Sequence, residues 1–121
     1  MIMDINKMIT ALRGRHDSNQ IGMIATHLGV VRGTSRNGQG VTGIEVSYDH
    51  QILRDIIHDI KRMPGIIDVL VDTSEGFFDV GDEILSVAVA GDIREHVFAA
   101  LMDAVNRIKA EASKKKEFFR E

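Results

Sequence analysis

Apolar positions recur along the chain at two periods, and the switches between them outline a series of elements. In DINKMITALR (4–13), Ile5, Met8, Ile9 and Leu12 stand at helical spacing behind Asp4, a residue suited to cap a helix start, so a short helix is predicted. HDSN (16–19) reads as a turn. IGMIATHLGVV (21–31) is apolar and partly β-branched, with glycines at 22 and 29 that weaken a helix; it predicts a strand buried on both faces. In VTGIEVSYD (41–49), Thr42, Ile44, Val46 and Tyr48 share one face and Val41, Gly43, Glu45 and Ser47 the other, the alternation of a half-exposed strand.

The clearest amphipathic helix is HQILRDIIHDIKRM (50–63), whose Ile52, Leu53, Ile56, Ile57, Ile60 and Met63 form one stripe. Met63-Pro64-Gly65 ends it, because the residue before proline is driven out of the α region and glycine permits the turn. IIDVLVD (66–72) predicts a strand, GFFDVGD (76–82) a glycine-bounded connection, and EILSVAVAG (83–91) another strand. A long helix follows over 92–112, with Ile93, Val97, Leu101, Val105 and Ile108 about four apart and Asp92 and Glu95 spaced as a capping box. The order helix, strand, strand, helix, strand, strand, helix, with at least one hairpin, predicts an α+β sandwich of antiparallel or mixed sheet with helices on one side.

Composition narrows the class. With 121 residues, 44% apolar and 27% charged, residues 1–121 fit a single globular domain. There is no cysteine, so disulfides, thiolate zinc sites and cysteine nucleophiles are excluded. A net charge of −3 speaks against a nucleic-acid coat. Asp4 and Lys7 interrupt the apolar residues of 1–12, and no run approaches a spanning helix, so the expectation is a cytoplasmic chain with no membrane partner.

Familiar chemical templates fail. GVVRGTSRNG lacks the Lys-Ser ending of a P-loop, and no GxGxxG follows a strand. Histidines 16, 27, 50, 58 and 96 form no HExxH and no helical i, i+4 pairing with carboxylates, and no metal site or cofactor is expected. The serines lack a nucleophile-elbow context. Basic residues remain. Arg32 and Arg36 sit in GVVRGTSRNGQGV (29–41), where Asn37-Gly38 alone would make a turn and the arginines are surplus to it. Arg94 lies in the first turn of the last helix, where free N–H groups already favour an anion, and Arg107, Lys109, Lys114, Lys115, Lys116 and Arg120 crowd its end. The last of these fall in a basic tail, residues 111–121.

GMIATHLGVVRG (22–33), GFFDVGDEILSVAVAG (76–91), Arg94 at the helix start and IKAEASKKKE (108–117), in that order, resemble the successive signatures of the large, catalytic subunit of molybdopterin synthase, the MoaE family. The resemblance implies an α/β hammerhead-like fold and a homodimer. It also implies a small ubiquitin-like sulfur carrier, MoaD-like, whose C-terminal glycine thiocarboxylate enters the active site. The implied reaction converts cyclic pyranopterin monophosphate, precursor Z, into molybdopterin by installing two dithiolene sulfurs. Carried over by position, the substrate-binding arginines fall on Arg32 and Arg94 and the catalytic lysines on Lys109 and Lys116, with Lys114 and Lys115 as alternatives for the second.

The sequence departs from the family pattern at named places. Ile93 stands where the family has histidine, Ala112-Ser113-Lys114-Lys115 replaces its Ala-Pro-x-Trp, and His27 occupies a position where an aromatic residue is common. A non-catalytic dimeric relative that binds a carrier protein or a phosphorylated ligand is therefore the alternative reading. Arg94 and Lys109 are fifteen residues apart on one predicted helix, about 22 Å at 1.5 Å per residue. That separation predicts a site shared between two chains. A carrier tail would add to a sheet edge, for which 41–49 and 76–82 are the candidates, or fill a groove.

Overall fold

The structure, a computed structural model, describes residues 4–121; residues 1–3, the first of the 1–12 segment read above, lie outside the described residues. Its elements are α1 (Ile5–Arg13), a 3-10 turn (Ser18–Gln20), β1 (Met23–Val30), β2 (Val41–Tyr48), α2 (His50–Lys61) and β3 (Ile66–Thr73). There follow β4 (Gly76–Asp79), β5 (Glu83–Gly91), α3 (Arg94–Arg107), a π-helical turn (Ile108–Ala112) and β6 (Ser113–Phe119).

Two three-stranded sheets form, β1-β5-β3 and β4-β2-β6, and every strand pair is antiparallel. The chain alternates between them, odd strands in one and even strands in the other. No two consecutive strands pair among the described residues, so the expected hairpin is absent. The 31–40 segment instead carries the chain from one sheet to the other.

Central β5 is the strand buried on both faces. Its Leu85, Val87 and Val89 meet Leu53, Ile56 and Ile60 of α2 and Val97, Ala100 and Ala104 of α3, while Ala88 and Ala90 take Met8 and Leu12 of α1 on the other face. The two long helices thus share one side, and short α1 closes part of the reverse. Small alanines on that reverse face let α1 approach closely. β1, expected to be doubly buried, is an edge strand with only Ala25 buried, because an apolar run alone does not reveal position within a sheet.

In β2 the buried set is Val41, Gly43, Ile44 and Val46. Val41 joins a face from which simple alternation excludes it because a bulge lies between Val41 and Gly43 in the pairing with β6, and one extra residue flips the parity. β4 replaces the expected connection over 76–82. The largest departure lies at the C-terminal end: 113–119 is a strand along β2, not a continuation of the helix or a tail. Lysines suit such an edge strand, since their charge discourages pairing with another chain.

Caps follow local chemistry. The Asp49 carboxylate accepts from the N–H groups of Gln51 and Ile52, both at 3.1 Å, and starts α2. Gly65, at φ +75°, makes the turn after Pro64 that a side chain would strain. The capping box of α3 does not form: Asp92 Oδ1 accepts from Ile93 N–H at 2.7 Å and pairs with His96 Nδ1 at 2.8 Å, while Glu95 reaches Arg94. Asp92 and His96 are four apart, so a helical carboxylate–histidine pair exists where the sequence reading found none.

Ile108, fully buried at the start of the π-helical turn, anchors the end of α3 to the core. Ile108→Ala is expected to lower stability by about 2–5 kcal/mol through the cavity it leaves, read as a shift in the urea unfolding midpoint.

Candidate functional site

Lys109 belongs to the π-helical turn, where the backbone ladder widens by one residue per turn. Ile108 and Ala112 face the core, and Lys109 between them reaches outward. The turn is fixed at both ends: Ser113 Oγ donates to Lys109 O at 3.0 Å, and Asp49 N–H donates to Ala112 O at 2.8 Å. Loss of hydration around the Lys109 ammonium, then the charges of Lys115 and Arg36, hold its pKa below the ordinary lysine value.

These neighbours come from separate elements. Arg36 stands on the 31–40 segment, shaped by Ser35 N–H donating to Gln39 O at 2.8 Å and by Gly38 at φ +87°. Lys115 stands on β6 opposite Val46, whose side chain is buried, so it points to the inner side of its sheet. His27 completes the group from β1, opposite Val87 on the side that faces α3. Burial first, and the charge of Lys109 second, push the His27 pKa below its ordinary 6.5.

The four residues expected from the sequence do not converge within one protomer. Arg32 donates from Nε to Thr34 O at 3.0 Å within its own loop. Arg94 is exposed at the opposite end of α3, 3.6 Å from the Glu95 carboxylate, beside a hollow of about 410 Å³ lined by Gly22, Met23, Ile93, Arg94 and Glu95. Lys116 pairs with Glu45 in the β2–β6 register and lies on the outer face, its ammonium 5.6 Å from the Phe118 ring centre. Phe118 in turn stacks on Phe77, the ring centres 6.2 Å apart. Lys109 is the one member of that set at the cationic group, and the lysine beside it is Lys115.

Sequence reasoning held Lys115 only as an alternative for the second lysine and passed over Arg36 and His27 as members of the same site. The missing signal was parity: once 113–119 is known to be a strand, Lys115 must face away from Lys114 and Lys116. Arg107, counted among the basic crowd, is occupied structurally, bonding Glu111 at 2.9 Å and Asp59 of α2 at 3.0 Å. The larger hollow, about 620 Å³, is lined by Thr73, Ser74, Glu75, Phe78, Gly81, Asp82 and Glu83. Its three carboxylates make it a poor receptor for phosphate. Among the described residues no cluster of three or more His, Asp or Glu side chains is placed to hold a metal ion, and no helix is long and apolar enough to cross a membrane.

Two antiparallel sheets that bring a second lysine and an arginine to Lys109, with the half-buried His27 beside it, define an α+β protein with a perturbed amine in a cationic group. The chain belongs to the MoaE protein family, whose pattern matches residues 2–111. It is 32% identical over 113 residues to the molybdopterin synthase catalytic subunit of Ralstonia nicotianae, an alignment covering 90% of this chain and 62% of that protein. The chain thus spans less than two thirds of that relative's length. The MoaE molybdopterin biosynthesis protein of Burkholderia ambifaria superposes with a TM-score of 0.77 at 30% identity, covering 95% of this chain and 76% of that one. A complex of subunits 1 and 2 of the molybdopterin-converting factor of Helicobacter pylori shares the fold, with a TM-score of 0.70 at 16% identity, covering 98% of this chain and 81% of that one.

Proposed function

We propose that this chain is the catalytic subunit of a cytoplasmic molybdopterin synthase. In this reading it converts precursor Z to molybdopterin with sulfur delivered by a thiocarboxylated, MoaD-like ubiquitin-like carrier, and it works as a homodimer. Family membership supports the reaction class. The observation that carries the reading is Lys109, held on a fixed turn with its ammonium form disfavoured by lost hydration and by Lys115 and Arg36.

The chemistry asks for three things: a clamp for the substrate phosphate, a group that moves protons as C–S bonds form, and stabilisation of charge on the carrier's carbonyl. Guanidinium groups suit the clamp because they are planar and permanently charged. An amine with a lowered pKa suits proton transfer, because more of it is free base near neutral pH. Lys115 and Arg36 add positive potential where negative charge develops. Arg94 is carried by the other end of a 14-residue helix, so it joins such a site only from a second protomer. Dimerisation is then a condition of activity.

Product formation from precursor Z and thiocarboxylated carrier tests the reading; tight carrier binding without turnover would overturn it. The alternative, a non-catalytic dimeric binder, draws on one observation: Ile93, 49% exposed beside Arg94, presents an apolar surface where the family has histidine. Of the three candidates for the second lysine, Lys115 and Lys116 are separable in the same assay. Lys115→Ala is expected to lower turnover about tenfold or more by removing charge beside Lys109, whereas Lys116→Ala, which removes an exposed cation–π contact worth about 0.5–1 kcal/mol, is expected to change turnover less.

A further inference from the structure

Phe98 and Met102 of α3 have no part in the mechanism above, yet they are 55% and 68% exposed. Among the described residues they are the only large apolar side chains that a helix leaves exposed. Steps of three and four residues join them to Arg94, Leu101, Val105 and Lys109, so one line runs along the helix from cation to cation with apolar side chains between. Leu101 and Val105 are partly buried against the core. Glu95, Asp103 and Asn106 keep to the other exposed flank, and Arg107 turns to Asp59 of α2.

Both ends of the line adjoin β1: Arg94 shares a hollow with Gly22 and Met23, and the charge of Lys109 acts on His27. β1 is an edge strand, so the line lies along the open border of its sheet, where another molecule can reach it. The line also reads alike in both directions. Arg94 and Lys109 stand equally far from the point between Leu101 and Met102, and so do Phe98 and Val105. A surface that matches itself under reversal is what a two-fold contact between identical chains requires.

We propose that this line is the seam for a second copy of the chain, the two α3 helices packing antiparallel about a two-fold axis between Leu101 and Met102. In that register Phe98 meets the partner's Val105, Met102 meets the partner's Leu101, and Arg94 meets the partner's Lys109. The seam takes Phe98 and Met102 out of water, and both are side-chain types that interface cores favour. It also sets Arg94 and the partner's Lys109 on either side of the hollow of about 410 Å³, where the substrate phosphate supplies the counter-charge between two cations. A slip of one helical turn would part those cations by about 5.4 Å along the axis. The pairing of Arg94 with Lys109 rests on the functional reading above; the exposure of the apolar residues between them does not.

The chain has no cysteine, so single introduced thiols report the seam directly. In the whole chain under mild oxidation, Met102→Cys is expected to give a disulfide-linked dimer and Phe98→Cys mixed with Val105→Cys a linked mixed dimer, while Asp103→Cys stays unlinked. Met102→Glu, which buries a charge twice beside the axis, is expected to weaken dimerisation about 100-fold or more in sedimentation equilibrium. Circular dichroism checks that this variant still folds. A wild-type dimer with Met102→Cys unlinked and Met102→Glu still paired overturns the seam and leaves the functional reading standing on another face. The expected links without turnover of precursor Z and thiocarboxylated carrier keep the seam and overturn the functional reading. A monomeric wild type overturns the seam and the shared site together. Maleimide labelling of the Met102→Cys thiol that only added carrier blocks would give the line to the carrier and also overturn the seam.

Discussion

Replacing Lys109 with alanine is expected to lower the rate of molybdopterin formation by about 10²- to 10⁴-fold, the range for loss of a group that transfers protons in the transition state. The dimer and its carrier affinity should survive, because the Lys109 side chain reaches outward while Ile108 and Ala112 anchor the turn. Lys109→Arg separates charge from proton transfer: guanidinium keeps the positive charge but does not give up a proton at working pH. The arginine variant is therefore expected to resemble alanine in turnover. Wild-type turnover should rise with pH as Lys109 loses its proton, through a pKa below the ordinary 10.5, since burial and two neighbouring cations disfavour the ammonium. Single-turnover measurement across pH checks both points; an arginine variant of near wild-type rate would reject proton transfer by this residue.

The second large effect is a recovery rather than a loss. Arg94→Ala and Lys109→Ala homodimers are each expected to be inactive. Equal amounts, unfolded and refolded together, should regain about a quarter of wild-type activity: about half of the dimers are mixed, and each mixed dimer restores one intact site of two. The reason is geometric. Arg94 opens α3, and Lys109 lies beyond its other end, with Ile108 and Ala112 pinned in the core. Nothing short of unfolding the helix would bring the two together in one chain. Recovery near zero would place both residues in the same protomer's site, or make one of them irrelevant to catalysis.

The helices and most strands were legible because their burial is written as periodicity. α2 shows this best: its Leu53, Ile56 and Ile60 stripe needs no tertiary information. β4 and β6 were not legible. β4 is four residues long and β6 reads SKKKEFF, a sequence whose apolar content is too low to announce a strand. Its strand form comes from hydrogen bonding to β2, a partner more than sixty residues earlier in the chain. The bulge that buries Val41 has the same origin, since parity counted along one strand cannot see an extra residue relative to its neighbour.

The candidate site divides along the same line. Which residue types were present, the absence of cysteine, the surplus arginines of the 31–40 segment and the family resemblance carried by successive motifs from 22–33 to 108–117 were all fixed by the order of residues. Which charges share a space was decided by the tertiary structure. Arg107 was removed from the group by Asp59 and Glu111, and Lys116 was turned to the outer face over Phe118. His27, Arg36 and Lys115 were brought to Lys109 from β1, a loop and a strand. Periodicity is a property of neighbours along the chain, whereas an electrostatic environment depends on through-space distances that only folding sets.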